Sequence, residues 1–194
     1  MRIASIVLFL CSLVVQAQNF DEGYAFLEEG DWGNATIFFK EAVSDYPNNK
    51  TAKLCYGRAV GLSGDPTTAA VIFEALLNQY PNDFEIQLNY AESLLWRKEY
   101  EAAKNYYILL LKTNPKSFPA LLGMANTYAN LKNYPEALMF IEKALIIDAT
   151  NSGAAVSKKF IQLGYAAQLS KKYKFEAAID QLQKILELYP GDTE

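Results

Sequence analysis

Histidine is missing altogether from the 194 residues. That removes the commonest general base and the commonest metal ligand. It also removes the Ser-His-Asp and Cys-His arrangements of nucleophilic catalysis. Cysteine is nearly as scarce. Of the two cysteines, Cys11 falls in an apolar leader, and Cys55 alone cannot form an internal disulfide. A small, buried packing role suits it, since free cysteine is among the most buried residue types. The ten glycines are dispersed, so no Gly-rich phosphate loop is present. Neither sign of charge dominates. The chain carries 18 basic and 22 acidic residues; loss of Arg2 with the leader leaves a net charge of about −5, which argues against nucleic acid or an anionic membrane as the main partner. Ser157 and Lys158 are adjacent and do not face each other on a helix. Glu28 and Glu29 sit at a helix end, open to solvent. No catalytic residues, metal site or cofactor are therefore expected, and the chain does not read as an enzyme.

What is present begins with the leader. Residues 1–17, MRIASIVLFLCSLVVQA, have a basic start, a short apolar run over 6–15 and a small-residue site at Val15-Gln16-Ala17, the pattern of a secretory signal. The run is too short for a transmembrane helix. Leu10 before Cys11 does not fit a lipoprotein signal, which needs a small residue there. The expected mature chain starts at Gln18, is exported to the periplasm or cell envelope or secreted, and does not insert in the membrane once the signal is gone.

Residues 118–151 read as two amphipathic helices joined by a tight turn at Leu131-Lys132-Asn133. Leu121, Met124, Ala125 and Tyr128 share one face of the first, and Ala137, Ile141 and Ala144 one face of the second. Asn133 is placed to cap the second helix, with Pro135 in its first turn and Glu136 three residues after the cap. Neither helix can bury its apolar face alone. The chain repeats the pattern at a step of 34 residues. One column is Ala35, Ala69, Ala103 and Ala137. A second is Phe39, Phe73, Tyr107 and Ile141, a third Gly23, Gly57, Ala91 and Ala125, and a fourth Pro47, Pro81 and Pro115. On these residues the chain resembles the tetratricopeptide repeat family, over about residues 19–190. The resemblance implies an all-α, right-handed α-solenoid of about five helix-turn-helix repeats, near 18–49, 50–83, 84–117, 118–151 and 152–192. The junction at Ala17-Gln18 resembles the signals of Bacteroidetes envelope proteins.

The fifth unit leaves the register. Counted on Ala166, Phe175, Ala178, Leu182 and Pro190, it carries seven added residues near 152–158, close to two helical turns, so its first helix should run unbroken from about Ser152 to Lys172. No polar capping helix follows Pro190, of the kind that ends most solenoids.

The resemblance further implies a concave groove lined by the first helix of each repeat. One groove column is Tyr24, Arg58, Glu92 and Asn126; the next, one turn along, is Glu28, Leu62, Trp96 and Asn130, with Asn89 on the adjacent edge. Trp96 reads as lying off the packed face, and Arg58 and Glu92 as an exposed ion pair. The mixture of aromatic, guanidinium, carboxylate and amide suits an extended peptide. The Lys-Asn clamp that some members use for a terminal carboxylate is absent, because Leu54 and Arg58 stand in its place. The expected function is a non-catalytic scaffold for a protein or peptide ligand. The alternative is an assembly module, either the N-terminal part of a larger envelope protein or a unit that self-associates through its uncapped C-terminal face.

Overall fold

The computed structural model describes residues 20–188; the leader, the cleavage site and Pro190 lie outside them. Among the described residues ten helices and no strands are found. They are α1 (20–29), α2 (Trp32–Asp45), α3 (Lys50–Leu62), α4 (Pro66–Gln79), α5 (Phe84–Trp96), α6 (Tyr100–Thr113), α7 (Phe118–Asn130), α8 (Tyr134–Ile147), α9 (Ser152–Lys171) and α10 (Phe175–Leu188). The chain divides between Arg97 and Lys98 into two compact units.

The turns show why the chain breaks where it does. Gly30, Gly64, Lys98, Lys132 and Tyr173 all have positive φ, between 59° and 103°. Each follows the last turn of a helix, where a left-handed residue lets the chain reverse. At four of these turns the residue after it closes the helix behind: Asp31 N–H to Phe26 O (2.8 Å), Asp65 to Val60 (3.1 Å), Asn133 to Tyr128 (2.9 Å) and Lys174 to Leu169 (3.0 Å). Asp31 and Asp65 also open the helix ahead, their carboxylates accepting from Asn34 N–H and Thr68 N–H. Asn133 occupies the same place before α8, but contrary to expectation its side chain makes no capping bond. The joints on the other side are capped by Asn49, Asp83, Ser117 and Asn151.

In each unit the columns form the core. In the first, Ala35, Ala69, Phe39 and Phe73 are fully buried. Phe39 and Phe73 lie so close over Gly23 and Gly57 that a Cβ there would come within 2.7 and 2.6 Å of the rings. In the second, Ala103, Tyr107, Ala125, Ala137 and Ile141 are fully buried, and Tyr107 presses on Gly123 in the same way. An alanine at the crossing lets two helix axes approach closely. Burying such an aromatic ring contributes about 1.5–3 kcal/mol, so these columns account for much of the packing.

The seven added residues lengthen a helix, as the phase argument requires. α9 is continuous over 20 residues, against 13 for α3, α5 and α7. Its start keeps the register of its predecessors. Asn151 caps it through Ala154 N–H, as Ser117 caps α7 through Ala120 N–H, and Ala154 packs with Ala137 and Ile141. Its far end carries α10, with Ala166 and Ala178 buried.

Candidate functional site

In the first unit Tyr24, Arg58 and Glu92 fall on α1, α3 and α5. Tyr24 is 39% exposed, its ring edge-on to Phe39 at 5.8 Å. Its hydroxyl accepts a weak hydrogen bond from the Cys55 thiol at 3.5 Å. Burial pushes the titration of both groups up, the Tyr24 phenol well beyond its usual range, so neither is an ionised nucleophile near neutral pH. Arg58 and Glu92 are both half-buried. They do not close into the ion pair that the sequence suggests; the Arg58 charge acts on Glu92 through space. Burial pushes the Glu92 carboxyl up, and the Arg58 charge only partly offsets it. Next to them, α3 and α5 are tied at their starts by Lys50 and Asp83, whose charges meet at 2.6 Å.

Two residues assigned to this face have structural duties instead. Asn89 is 3% exposed; its Nδ2 donates to Glu85 O at 2.7 Å on its own helix, while its Oδ1 is buried without a hydrogen-bond partner. It is no groove-edge amide, because its helix turn faces the packing side. Trp96, expected off the packed face, is half-buried against α3, where a Cβ on Gly61 would come within 2.2 Å of its ring. Gly61 leaves the space that the indole fills, so Trp96 joins α5 to α3 and is not a free-standing hot spot. Leu62 is half-buried and Glu28 exposed.

In the second unit Asn126 and Asn130 come together at a cleft of about 290 Å³ between α7, the start of α8 and α9. Ala129, Ile161 and Gly164 give it an apolar lining. Tyr134, Ser157 and Phe160 complete the wall, and the Phe160 ring is 65% exposed. Asn130 Nδ2 donates to Asn126 O at 2.8 Å, which leaves its Oδ1 and the Asn126 carboxamide available. Tyr134 is held by stacking on Tyr165, centroids 6.0 Å apart, and by seating over Gly164, where a Cβ would come within 2.6 Å of its ring.

Phe160 and Gly164 were missed in the sequence, although the clue was there. They stand 34 residues after Asn126 and Asn130 and are the fifth members of the two groove columns. Registering the fifth unit on Ala166 hid them, because Lys159 breaks the small-residue column at the 34-residue step. The two faces present amide donors and acceptors, one guanidinium, the Glu28 and Glu92 carboxyls and, between α7 and α9, an apolar recess. Among the described residues no helix is long and apolar enough to cross a membrane.

Comparison with known proteins agrees with the geometry. Residues 62–117 match one tetratricopeptide repeat model and residues 118–151 another. Among curated proteins none matches the chain. Among solved structures, MamA from Desulfovibrio magneticus RS-1 is 18% identical, with 92% of this chain and 97% of that one covered at a TM-score of 0.67. MamA of MSR-1 is 16% identical, with 91% and 98% covered and a TM-score of 0.66. A tetratricopeptide repeat protein from Parabacteroides merdae is 20% identical, with 91% and 68% covered and a TM-score of 0.62. At these identities the likeness is one of fold. The chain thus carries tetratricopeptide repeats across residues 62–151, within an all-α structure that has the solenoid fold of such proteins.

Proposed function

We propose that the chain is a non-catalytic scaffold of the cell envelope, exported by its leader, that holds a protein or peptide segment on the faces of its first helices. The observation that carries this reading is the state of Arg58 and Glu92. Two opposite charges sit on adjacent first helices, half-buried, with no ion pair or hydrogen bond to each other. Leaving two half-buried charges only partly compensated is costly, and a polar ligand that donates to Glu92 and accepts from Arg58 reduces the cost. Repeat folds are commonly protein-interaction scaffolds, and the matches over 62–151 support that use here.

The test is selection of peptides from a random display library on the mature chain, followed by calorimetry. Arg58→Ala and Glu92→Gln should each weaken a selected peptide by about 1–2 kcal/mol. Lys143→Ala, exposed on α8 with its ammonium over Phe140, should not. Binding that survives both first-helix variants and is lost in Lys143→Ala would move the ligand to the opposite face and end this reading.

A second reading, an assembly module, is favoured by one feature of α10. Phe175, Ile179, Leu182 and Leu186 are each about half exposed at spacings of four, three and four, a continuous apolar stripe. They correspond in register to Tyr134, Leu138, Ile141 and Leu145, by which α8 packs the helix after it. Sedimentation equilibrium separates the readings. A mass above one chain that Leu182→Asp returns to one chain supports assembly; a single-chain mass at every concentration supports the scaffold.

A further inference from the structure

We infer that the cleft between α7 and the lengthened α9 is an anchor pocket for one large uncharged side chain, aromatic or long aliphatic, of a bound peptide. This rests on the scaffold reading and names the kind of residue the peptide must present.

Three observations carry it. First, the lining holds no charged side chain, in contrast to the Arg58 and Glu92 face of the first unit, so a charged side chain entering it would lose hydration without compensation. Second, the volume of about 290 Å³ accepts one large side chain and excludes a folded element. Third, the groups around the apolar lining are amides and a hydroxyl with capacity to spare. The Asn126 carboxamide and Asn130 Oδ1 flank the cleft on α7, and Ser157 faces them from α9. An extended peptide carries an N–H and a C=O on either side of every side chain, which is what these groups can bond.

One wall of the pocket is new to the fifth repeat. Phe160 stands in the column that holds Tyr24, Arg58, Glu92 and Asn126 in the preceding repeats. Phe160 is 65% exposed at the cleft. Its ring is thus an open wall that a bound side chain would cover. Gly164 and Tyr134 close the opposite end, and neither leaves room for a Cβ at 164.

The probes are the capped amino acids N-acetyl-L-phenylalaninamide, N-acetyl-L-lysinamide and N-acetyl-L-aspartamide, titrated into the mature chain while the side-chain amide resonances of Asn126 and Asn130 are followed by NMR. The phenylalanine probe should shift both resonances saturably, and the two charged probes should bind about tenfold more weakly or worse, the factor that burial of one apolar side chain supplies. Ser157→Trp, which fills the cleft, and Phe160→Ala, which removes its wall, should each abolish the response, while Phe160→Leu should retain most of it. Unchanged backbone resonances in α6 and α10, in the same unit but away from the cleft, would show that the variants are folded. Equal binding of all three probes, or an undiminished response in Ser157→Trp or Phe160→Ala, overturns the pocket. Display-selected peptides that depend on Arg58 but ignore Ser157→Trp and Phe160→Ala would overturn it too and leave the scaffold reading standing.

Discussion

The clearest single-residue consequence lies in the turns. Lys132 has φ 60°, a left-handed conformation that costs a residue with a Cβ roughly 1–2 kcal/mol. The corresponding positions in the first two hairpins are Gly30 and Gly64. Lys132→Gly should therefore stabilise the protein by about 0.5–1 kcal/mol, the relief being partly offset by the greater freedom of unfolded glycine. Lys132→Ala, equally strained, should lie within about 0.5 kcal/mol of the parent. Urea denaturation of the three proteins decides it; an alanine variant as stable as the glycine variant would refute the argument. Glu92 gives a second consequence. Its folded carboxyl titrates above its unfolded value because of its burial, so the folded state binds more protons and stability falls as pH rises through the ordinary glutamate value of 4.5 toward the raised folded one. Glu92→Gln should be more stable than the parent at pH 7 and indistinguishable from it at about pH 3.5, where both states of the parent are protonated. Thermal midpoints at the two pH values test this; a difference that persists in acid would place its cause elsewhere. The sequence revealed little of these environments. Side-chain type told that Glu92 and Arg58 share a face, but whether they meet depends on how far each is sunk, which periodicity does not encode. Asn89 and Trp96 were misjudged for the same reason: one turn of helix separates a groove position from a packed one, and Gly61 makes room that no counting of columns foresees.

At the scale of the helix, more was legible. The columns at a step of 34 located the buried alanines and aromatics, because close helix crossings demand small residues at fixed places. The unbroken α9 followed from phase. The failures were Asn133, whose side chain leaves α8 uncapped, and the registration of α9 from its far end, which concealed Phe160 and Gly164. Asp83 shows what a good cap contributes. It accepts from Glu85 and Ile86 N–H at 3.0 and 3.2 Å and meets Lys50 of the preceding first helix at 2.6 Å. The Lys50 hydrogen bond and these backbone donors hold its carboxyl below its usual range. A carboxyl lowered in this way stabilises the fold above its unfolded pKa, and the contribution is lost as pH falls through the folded one. Asp83→Ala should cost about 1–2 kcal/mol at pH 7, mostly for the cap, since an ion pair this exposed adds little. The deficit should shrink as pH is lowered below the ordinary aspartate value of 3.8. A deficit independent of pH would mean that the carboxylate charge plays no part.

Within each unit successive helices from α2 to α5 and from α6 to α10 pack on one another, and α3 also reaches α5, as α7 reaches α9. Stability in such a chain is a sum of local and nearest-neighbour contributions. Ala137 is fully buried where α8 meets Ala125, Ala154 and Ile161. Ala137→Leu should overpack that crossing at a cost of about 1–3 kcal/mol, and hydrogen exchange should quicken in α7, α8 and α9 while α2, α3 and α4 keep their protection. Uniform quickening over all ten helices would show that the chain behaves as one cooperative block. The turns also bear on how such a chain meets force. Asp31 and Asp65 each fasten the helix behind through the backbone N–H and the helix ahead through both carbonyl and side chain, whereas Asn133 holds the helix ahead through its carbonyl alone. Under tension the chain resembles a row of hinges of unequal strength, and the hinge between α7 and α8, with one fastening fewer, is where a pulled molecule yields before the hinges at Asp31 and Asp65.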